Sequence, residues 1–342
     1  MLIGNAGETN VASSFERAGT QLGWEVRLCE AAEAYQGPRW LQRLVWHFGD
    51  RRPTGLLRFA AQIHEIARRE RPAVMISTGL TPLTATSIAR LKGLGIRCLH
   101  YSTDDPWNQA LMASWFLRSL PGYDHIFTTR RSNLRDFAAL GCSDVSYLPF
   151  GYDPELSFGP PRSKLAHHRL NWDVLFIGGA DADRIAFAHQ LISAGVRLAL
   201  FGDYWERVSD LRTSHRGRAD VQMMRQLTRL TPINLCLCRW ANRDGHVMRT
   251  FEIAAIGGFM LAEDTAEHRD LFGPEGECVL YFANAAHAVE KIGWALIHVD
   301  ERERMSSAAQ TRITRGANSY KDRLITMLDS AKADRCASGI AS

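Results

Sequence analysis

The sequence turns on the stretch Asp244-Gly245-His246-Val247-Met248-Arg249-Thr250-Phe251-Glu252-Ile253-Ala254-Ala255-Ile256-Gly257-Gly258. A polar strip from Ala241 to His246 opens it. Phe251, Ala254 and Ala255 then recur at helical spacing and predict one apolar helix face. Gly257-Gly258 ends the helix, as glycine does past a helix C-terminus. The apolar run Phe259-Met260-Leu261-Ala262 reads as a buried strand. Asp244 and Glu252 are eight positions apart, a little over two turns, which places both carboxylates near one helix face. A loop running into a helix N-terminus favours an anion, because free N–H groups and the helix dipole point at it together. The expectation is a phosphate at the helix start with a ribose in reach of Glu252.

Outward from this stretch, apolar runs alternate with helical ones, the pattern of a parallel sheet with flanking helices. Upstream, Trp172 to Ile177 reads as a strand feeding the loop Gly178-Gly179-Ala180-Asp181-Ala182-Asp183-Arg184. Arg184 either grips a diphosphate with its guanidinium fork or pairs at the surface with Asp181 and Asp183. Val196 to Phe201 reads as the next strand, ending in Gly202-Asp203-Tyr204-Trp205; Tyr204 either stacks on a base or packs. Asn234 to Cys238 is the strand leading into the central stretch. Downstream come a helix from Thr265 to Phe272, a strand from Cys278 to Phe282, a helix from about Ala286 to Val299, and one long helix from about Glu301 to Ala331. The small polar tail from Asp334 to Ser342 reads as frayed.

The first half repeats the plan. Met1-Leu2-Ile3 is a strand, Gly4-Asn5-Ala6-Gly7 a loop, Val11 to Leu22 a helix and Gly23 to Cys29 a strand. The glycine spacing is not G-x-G-x-x-G, so the dinucleotide fingerprint is absent. The loop is either a plain tight turn or a backbone surface facing a ligand at the carboxyl edge of the sheet. Further strands run over 73–78, 97–101, 124–129 and 145–151. The strand Arg97 to Tyr101 ends in Ser102-Thr103-Asp104-Asp105-Pro106. These adjacent acids either supply a general base for an acceptor hydroxyl or cap and turn the chain ahead of a helix. Between Pro38 and Arg71, arginines interleave with Trp40, Leu41, Leu44, Val45, Phe48, Leu57, Phe59, Ala60 and Ile63. Two readings stand: amphipathic helices with solvated Arg faces, or a surface touching an acidic membrane or a charged acceptor.

Composition bounds the class. The 342 residues are 46% hydrophobic and 23% charged, an ordinary globular mix long enough for two domains. The expected division is 1–155, a proline-bearing linker over 156–171 (Pro160, Pro161, Arg162, Lys164, His167, His168), 172–315, and a final helix and tail over 316–342. A formal charge of +4 is too small to argue for nucleic acid. The seven cysteines, Cys29, Cys98, Cys142, Cys236, Cys238, Cys278 and Cys336, are odd in number and mostly in apolar runs, so they read as reduced core thiols. Cys236-x-Cys238 shares a strand face, but no His or second pair completes a metal set. No apolar segment approaches bilayer length and no basic-then-apolar leader opens the chain, so a cytoplasmic protein is expected.

The central stretch resembles the E-x7-E segment of GT-B glycosyltransferases, E-G-F-G-x-x-x-x-E-A-x-A-x-G. Asp244 stands for the first Glu, His246 for Phe and Val247 for the second Gly, while Gly245, Glu252, Ala255 and Gly257 match. It is similar also to the CgeB-like group of bacterial proteins in its R-x-F-E block (Arg249, Phe251, Glu252), its D-D-P step, L-P-F-G-Y-D-P at 148–154 and F-I-G-G at 176–179. The resemblance implies an α/β fold of two Rossmann-like domains facing across a cleft, with the last helix crossing back to the first. It implies transfer of a sugar from a nucleotide-sugar to a glycan, lipid or protein acceptor, without cofactor or metal. Asp104 or Asp105 would be the base. Gly4, Asn5, Gly7, Gly178, Gly179, Arg184, Gly202, Tyr204, Asp244, Gly245, His246, Val247, Arg249 and Glu252 would meet the donor. The alternative is a catalytically inactive nucleotide-sugar-binding protein that partners another transferase.

Overall fold

The computed structural model describes residues 1–158 and 170–338. The chain divides into two compact units. One is Met1–Phe150 with Ala241–Arg243 and the segment from Tyr320; the other is Gly151–Trp240 with Asp244–Ser319. Most of the expected linker falls on 159–169, outside the described residues.

The first unit holds strands β1 (Leu2–Gly4), β2 (Leu28–Glu30), β3 (Val74–Thr78), β4 (Arg97–Ser102), β5 (His125–Thr128) and β6 (Val145–Tyr147), all parallel in the order β2-β1-β3-β4-β5-β6. Its helices are α1 (Val11–Gln21), α2 (Arg39–Phe48), α3 (Leu56–Glu70), α4 (Ala85–Gly93), α5 (Ser114–Leu117) and α6 (Asn133–Ala139). Continuous apolar strands are what a sheet covered on both faces requires. Met75, Ile76, Cys98, Leu99 and Ile126 are accordingly buried. Ser77 sits opposite His100 in register. Its hydroxyl lies 2.8 Å from His100 Nδ1 and 2.9 Å from Tyr123 Oη, while His100 Nε2 is buried without a hydrogen-bond partner.

The second unit begins with α7 (Pro154–Ser157) and holds β7 (Val174–Ile177), β8 (Leu198–Phe201), β9 (Ile233–Cys236), β10 (Met260–Glu263) and β11 (Leu280–Phe282), parallel in the order β11-β10-β9-β7-β8. Between the strands run α8 (Ala182–Ser193), α9 (Val221–Leu230), α10 (Met248–Ile256) and α11 (Ala266–Phe272), followed by α12 (Ala285–Ile297) and α13 (Val299–Arg315). Helix starts follow capping chemistry. Side chains of Asp181, Asp220, Thr265 and Asn284 accept from the amides of Arg184, Met223, His268 and His287 at 2.7–3.0 Å.

The single long helix expected from Glu301 to Ala331 is two helices. After α13 the chain turns through Gly316–Ser319 and resumes as α14 (Tyr320–Ser338), which belongs to the first unit and reaches into the expected frayed tail. The turn is closed by the Asn318 amide on Gly316 O at 2.8 Å. Buried Arg323 then donates to Pro149 O at 2.9 Å and Phe150 O at 3.0 Å, and Tyr320 meets Phe15 edge-on at 5.5 Å. The expected strands 23–29 and 145–151 shrink to β2 and β6, because the pairing edge of the sheet ends there.

Candidate functional site

In the second unit the strand order reverses between β7 and β9, so the loops after these two strands diverge at the carboxyl edge of the sheet. That is where open α/β sheets hold ligands. The loop after β7 carries Gly178, Gly179 and Asp181; the chain after β9 runs through Leu237 to Val247 into α10.

Buried Arg184 ties these two segments together. Its Nη1 donates to Gly179 O at 3.1 Å, its Nη2 to Leu237 O at 2.9 Å, and its guanidinium lies 5.3 Å from the Phe176 ring centre. Nε has no hydrogen-bond partner and stands 3.6 Å from Asp181 Oδ2. Burial, then the nearby Arg239, lowers its proton affinity. The expected two-pronged grip on a diphosphate is not set up here: Arg184 is 7% exposed and each Nη already donates to a backbone carbonyl. Arg239, 3.6 Å from Asp181, and Arg249 complete a cluster of three cations on this edge.

Gly178 and Gly202 are required by close approach. A Cβ on Gly202, whose φ is 136°, falls 2.6 Å from the Gly178 carbonyl carbon, and one on Gly178 falls 2.8 Å from the Phe176 ring. Gly179 is looser, with 3.6 Å to Asp203 O. Tyr204 is 51% exposed and the Arg207 guanidinium lies 4.5 Å from its ring centre, so it is not packed into the core.

The central helix starts later than its sequence suggests. α10 begins at Met248, and Trp240–Asn242 form a separate 3-10 turn. Asp244 is off the helix, and its carboxylate accepts from the Arg239 amide at 3.1 Å. The expected pair of carboxylates on one helix face does not form. Nor is one face apolar and the other wet: Thr250 to Ile256 are all buried. Glu252, only 6% exposed, pairs with Arg249, whose Nε donates to Ile177 O at the end of β7 at 3.1 Å. Gly257 caps the helix at φ 85°.

A buried relay fixes the start of α10. His268 Nδ1 lies 2.8 Å from Glu263 O, an acceptor, so Nδ1 carries the proton. His268 Nε2 then accepts from the Thr250 hydroxyl at 2.9 Å, and that oxygen accepts from the Val247 amide at 3.0 Å. Burial pushes His268 down to about 4, so it is neutral near pH 7. His246 Nδ1 lies 2.5 Å from Glu267 Oε2. Gly245 has to be glycine beside this pair, since a Cβ there falls 2.7 Å from Glu267 Cγ. His246 is thus buried behind the loop and engaged inside the protein.

At the carboxyl edge of the first sheet the order reverses between β1 and β3. The loop after β1 is closed on itself. The Ala6 amide donates to Glu30 at 2.6 Å and the Gly7 amide to Ser13 Oγ at 3.2 Å, so these two N–H groups do not face a ligand. A Cβ on Gly4 falls 2.7 Å from that of Ala12, so Gly4 serves packing. Asn5 is exposed.

The two acids separate sharply. Asp105 is 1% exposed. Its oxygens accept from Arg243 Nε at 2.6 Å, Arg243 Nη2 at 2.9 Å, Asn133 Nδ2 at 2.9 Å and the Trp107 amide at 3.0 Å. A carboxylate committed to four donors is structural, which corrects its assignment as a base. Asp104 is half-exposed beside Gly79, with Thr103 Oγ1 donating to it at 3.2 Å. Arg243 was invisible as a partner in sequence, lying 138 positions from Asp105. Glu267, His268 and Glu263 were missed too; Glu267 and His268 sit in the first turn of α11, where capping signals explain acids without any site.

Cys29, Cys98, Cys142, Cys236, Cys238 and Cys278 are free and buried, and burial pushes the thiols of Cys98 and Cys236 up to about 12, so they stay protonated. Among the described residues, no three His, Cys, Asp or Glu side chains gather into a metal-ligand set.

Residues 184–329 match the family described as glycosyl transferase-like. No protein of curated function matches the sequence. Among solved structures, sucrose-phosphate synthase from Thermosynechococcus elongatus aligns at 13% identity over 98% of both chains, with a TM-score of 0.70. Anabaena Alr3699/HepE in complex with UDP-glucose aligns at 12% identity over 96% of this chain and 99% of that one, with a TM-score of 0.63. A glycosyltransferase from Rickettsia africae ESF-5 aligns at 12% identity over 97% and 98%, with a TM-score of 0.64. At such identities the likeness speaks to the fold. The chain has the two-sheet α/β architecture of GT-B proteins along nearly its whole length, and its segment 184–329 is glycosyl transferase-like in sequence.

Proposed function

We propose that the protein is a GT-B glycosyltransferase that takes a sugar from a nucleoside diphosphate sugar and passes it to a hydroxyl-bearing acceptor in the cytoplasm. The observation that carries this reading is the carboxyl edge of the second sheet. Arg184, Arg239 and Arg249 gather there beside the β7–β9 strand reversal and the start of α10. Three guanidinium groups at such an edge suit the leaving diphosphate, whose charge rises as the glycosidic bond breaks. Arg239 takes its oxygens together with Nη2 of Arg249, whose Nε and Nη1 are held by Ile177 O and Glu252, and Arg184 holds the two loops that frame it. Glu252, aligned by its pair with Arg249, accepts from the ribose hydroxyls. The arginines do this work without a metal ion.

If the anomeric centre inverts, a base is needed, and Asp104 fills it because Asp105 is engaged with Arg243. The motifs R-x-F-E and D-D-P support placement near the CgeB-like group.

Turnover tests the reading. The protein is incubated with UDP-, GDP-, TDP- and ADP-sugars, and released nucleoside diphosphate is followed with magnesium and with a chelator. Slow release from one donor, unchanged by the chelator, is the expected result. Release that collapses with the chelator overturns the metal-independent mechanism. Donor binding without any release over long incubation, with acceptor mixtures included, makes the protein a nucleotide-sugar binder.

A further inference from the structure

The apolar stripe of α2 points outward. Trp40, Leu44 and Phe48 recur every fourth residue and are 68%, 52% and 86% exposed. In a helix these positions form one stripe. Gln42 lies about 160° around from the centre of that stripe at 100° per residue. Its Nε2 donates to Tyr35 O at 2.5 Å and Gly37 O at 2.9 Å, which fixes the polar side of the helix toward the body of the unit. The same sequence periodicity in α3 does the reverse, burying Phe59, Ala60 and Ile63. At the start of α3, Leu57 is 64% exposed and Arg58 is exposed beside it.

Charge says what covers this stripe. From Pro38 to Arg58 the chain has five arginines and a single acid, Asp50. Burial pushes the Asp50 carboxyl up, but hydrogen bonds from Ser114 and from the Trp115 amide at 3.1 Å outweigh it and hold the carboxyl below its ordinary value. Arg43, His47 and Arg52 are exposed around the stripe. An exposed Trp-Leu-Phe row flanked by arginines, on a helix without Asp or Glu, is the composition of an interfacial helix. Among the described residues no helix is long and apolar enough to cross a membrane, so contact would be in the plane of the surface.

We propose that α2 docks the protein on an anionic lipid bilayer, with Trp40, Leu44 and Phe48 entering the headgroup boundary and Arg43 and Arg52 meeting lipid phosphates. This rests on the first unit alone and holds whatever the second unit binds.

Flotation of the full chain with vesicles tests it, using pure phosphatidylcholine and phosphatidylcholine with about 30% phosphatidylglycerol. The anionic vesicles should carry the protein at low salt and release most of it near 0.5 M, where the Debye length falls to a few ångströms (about 3 Å at 1 M). The double variants Trp40→Ser with Phe48→Ser, and Arg43→Glu with Arg52→Glu, should each lower the bound-to-free ratio at least tenfold. Because these side chains are exposed, both variants should melt with the parent and bind nucleotide as it does. Three results overturn the proposal: no binding to anionic vesicles at low salt, equal binding to neutral ones, or double variants that bind like the parent. A parent dimer in solution that Phe48→Ser dissociates also overturns it, since the stripe would then face a second copy of the chain.

Discussion

Asp104 and Asp105 show how neighbouring side chains of one type part in chemistry. Asp105 accepts four hydrogen bonds from donors drawn from 107, 133 and 243, so its loss takes an acceptor from three residues at once and leaves Arg243 with Asp136 at 2.8 Å. Asp105→Asn leaves Arg243, 43% exposed, with its Asp136 partner and weakens the charge-assisted bonds at a buried position, so it should cost about 1–3 kcal/mol of stability. Asp104→Asn removes a half-exposed group and should leave stability within about 0.5 kcal/mol. If transfer inverts, it should slow turnover by about a hundredfold or more. Chemical denaturation and donor turnover on the two variants separate these outcomes. The reverse pattern, Asp105→Asn stable but inactive, would return the catalytic role to Asp105. Sequence could show that two acids end β4; it could not show which was committed, because the committing arginine is more than a hundred residues away.

At the scale of elements, the sequence was legible where structure is local. Apolar runs marked the strands, and capping residues such as Thr265 and Asn284 marked helix starts. It was illegible where tertiary bonds set boundaries. The start of α10 is fixed by the Thr250–His268 relay, not by any signal before Met248, so Asp244 was placed one turn too far into the helix. The break before α14 was hidden for a similar reason: helical spacing continues on both sides of Gly316. The relay makes α10 sensitive to acid. Burial holds His268 down to about 4, whereas the unfolded chain titrates near the ordinary value of about 6.5. Between those values the unfolded state takes up a proton that the folded state refuses. Stability is therefore complete above about pH 6.5 and falls as pH drops toward 4, by about 3 kcal/mol in all at ~1.4 kcal/mol per unit. His100, pushed by burial down to about 3, adds a fall of the same sign in the first unit. His268→Gln keeps a neutral donor and acceptor, so its melting temperature should drop less than the parent's between pH 7 and pH 5. An equal drop in both would show that His268 titrates normally.

For the whole molecule, repetition of the strand–glycine loop–helix plan was enough to read an α/β chain with two parallel sheets, and both sheets are parallel throughout. What repetition could not give was the composition of the units. Ala241–Arg243 and α14 belong to the first unit although they lie in the second half of the sequence. The functional reading depends on one property of the molecule, a nucleoside diphosphate site on the second unit that uses Glu252 and the arginine cluster. A thermal-shift titration measures it directly, run on the parent and on Glu252→Ala with UDP, GDP, TDP, ADP, NAD and S-adenosylmethionine, with and without magnesium. A ligand at about 100 times its dissociation constant adds about 2.7 kcal/mol, a visible rise in the midpoint. We expect one nucleoside diphosphate to stabilise the parent equally with and without magnesium, and Glu252→Ala to fold normally while needing at least tenfold more of it. Stabilisation by NAD or S-adenosylmethionine alone, by no compound at all, or by a nucleotide that the variant binds as tightly as the parent, would contradict it.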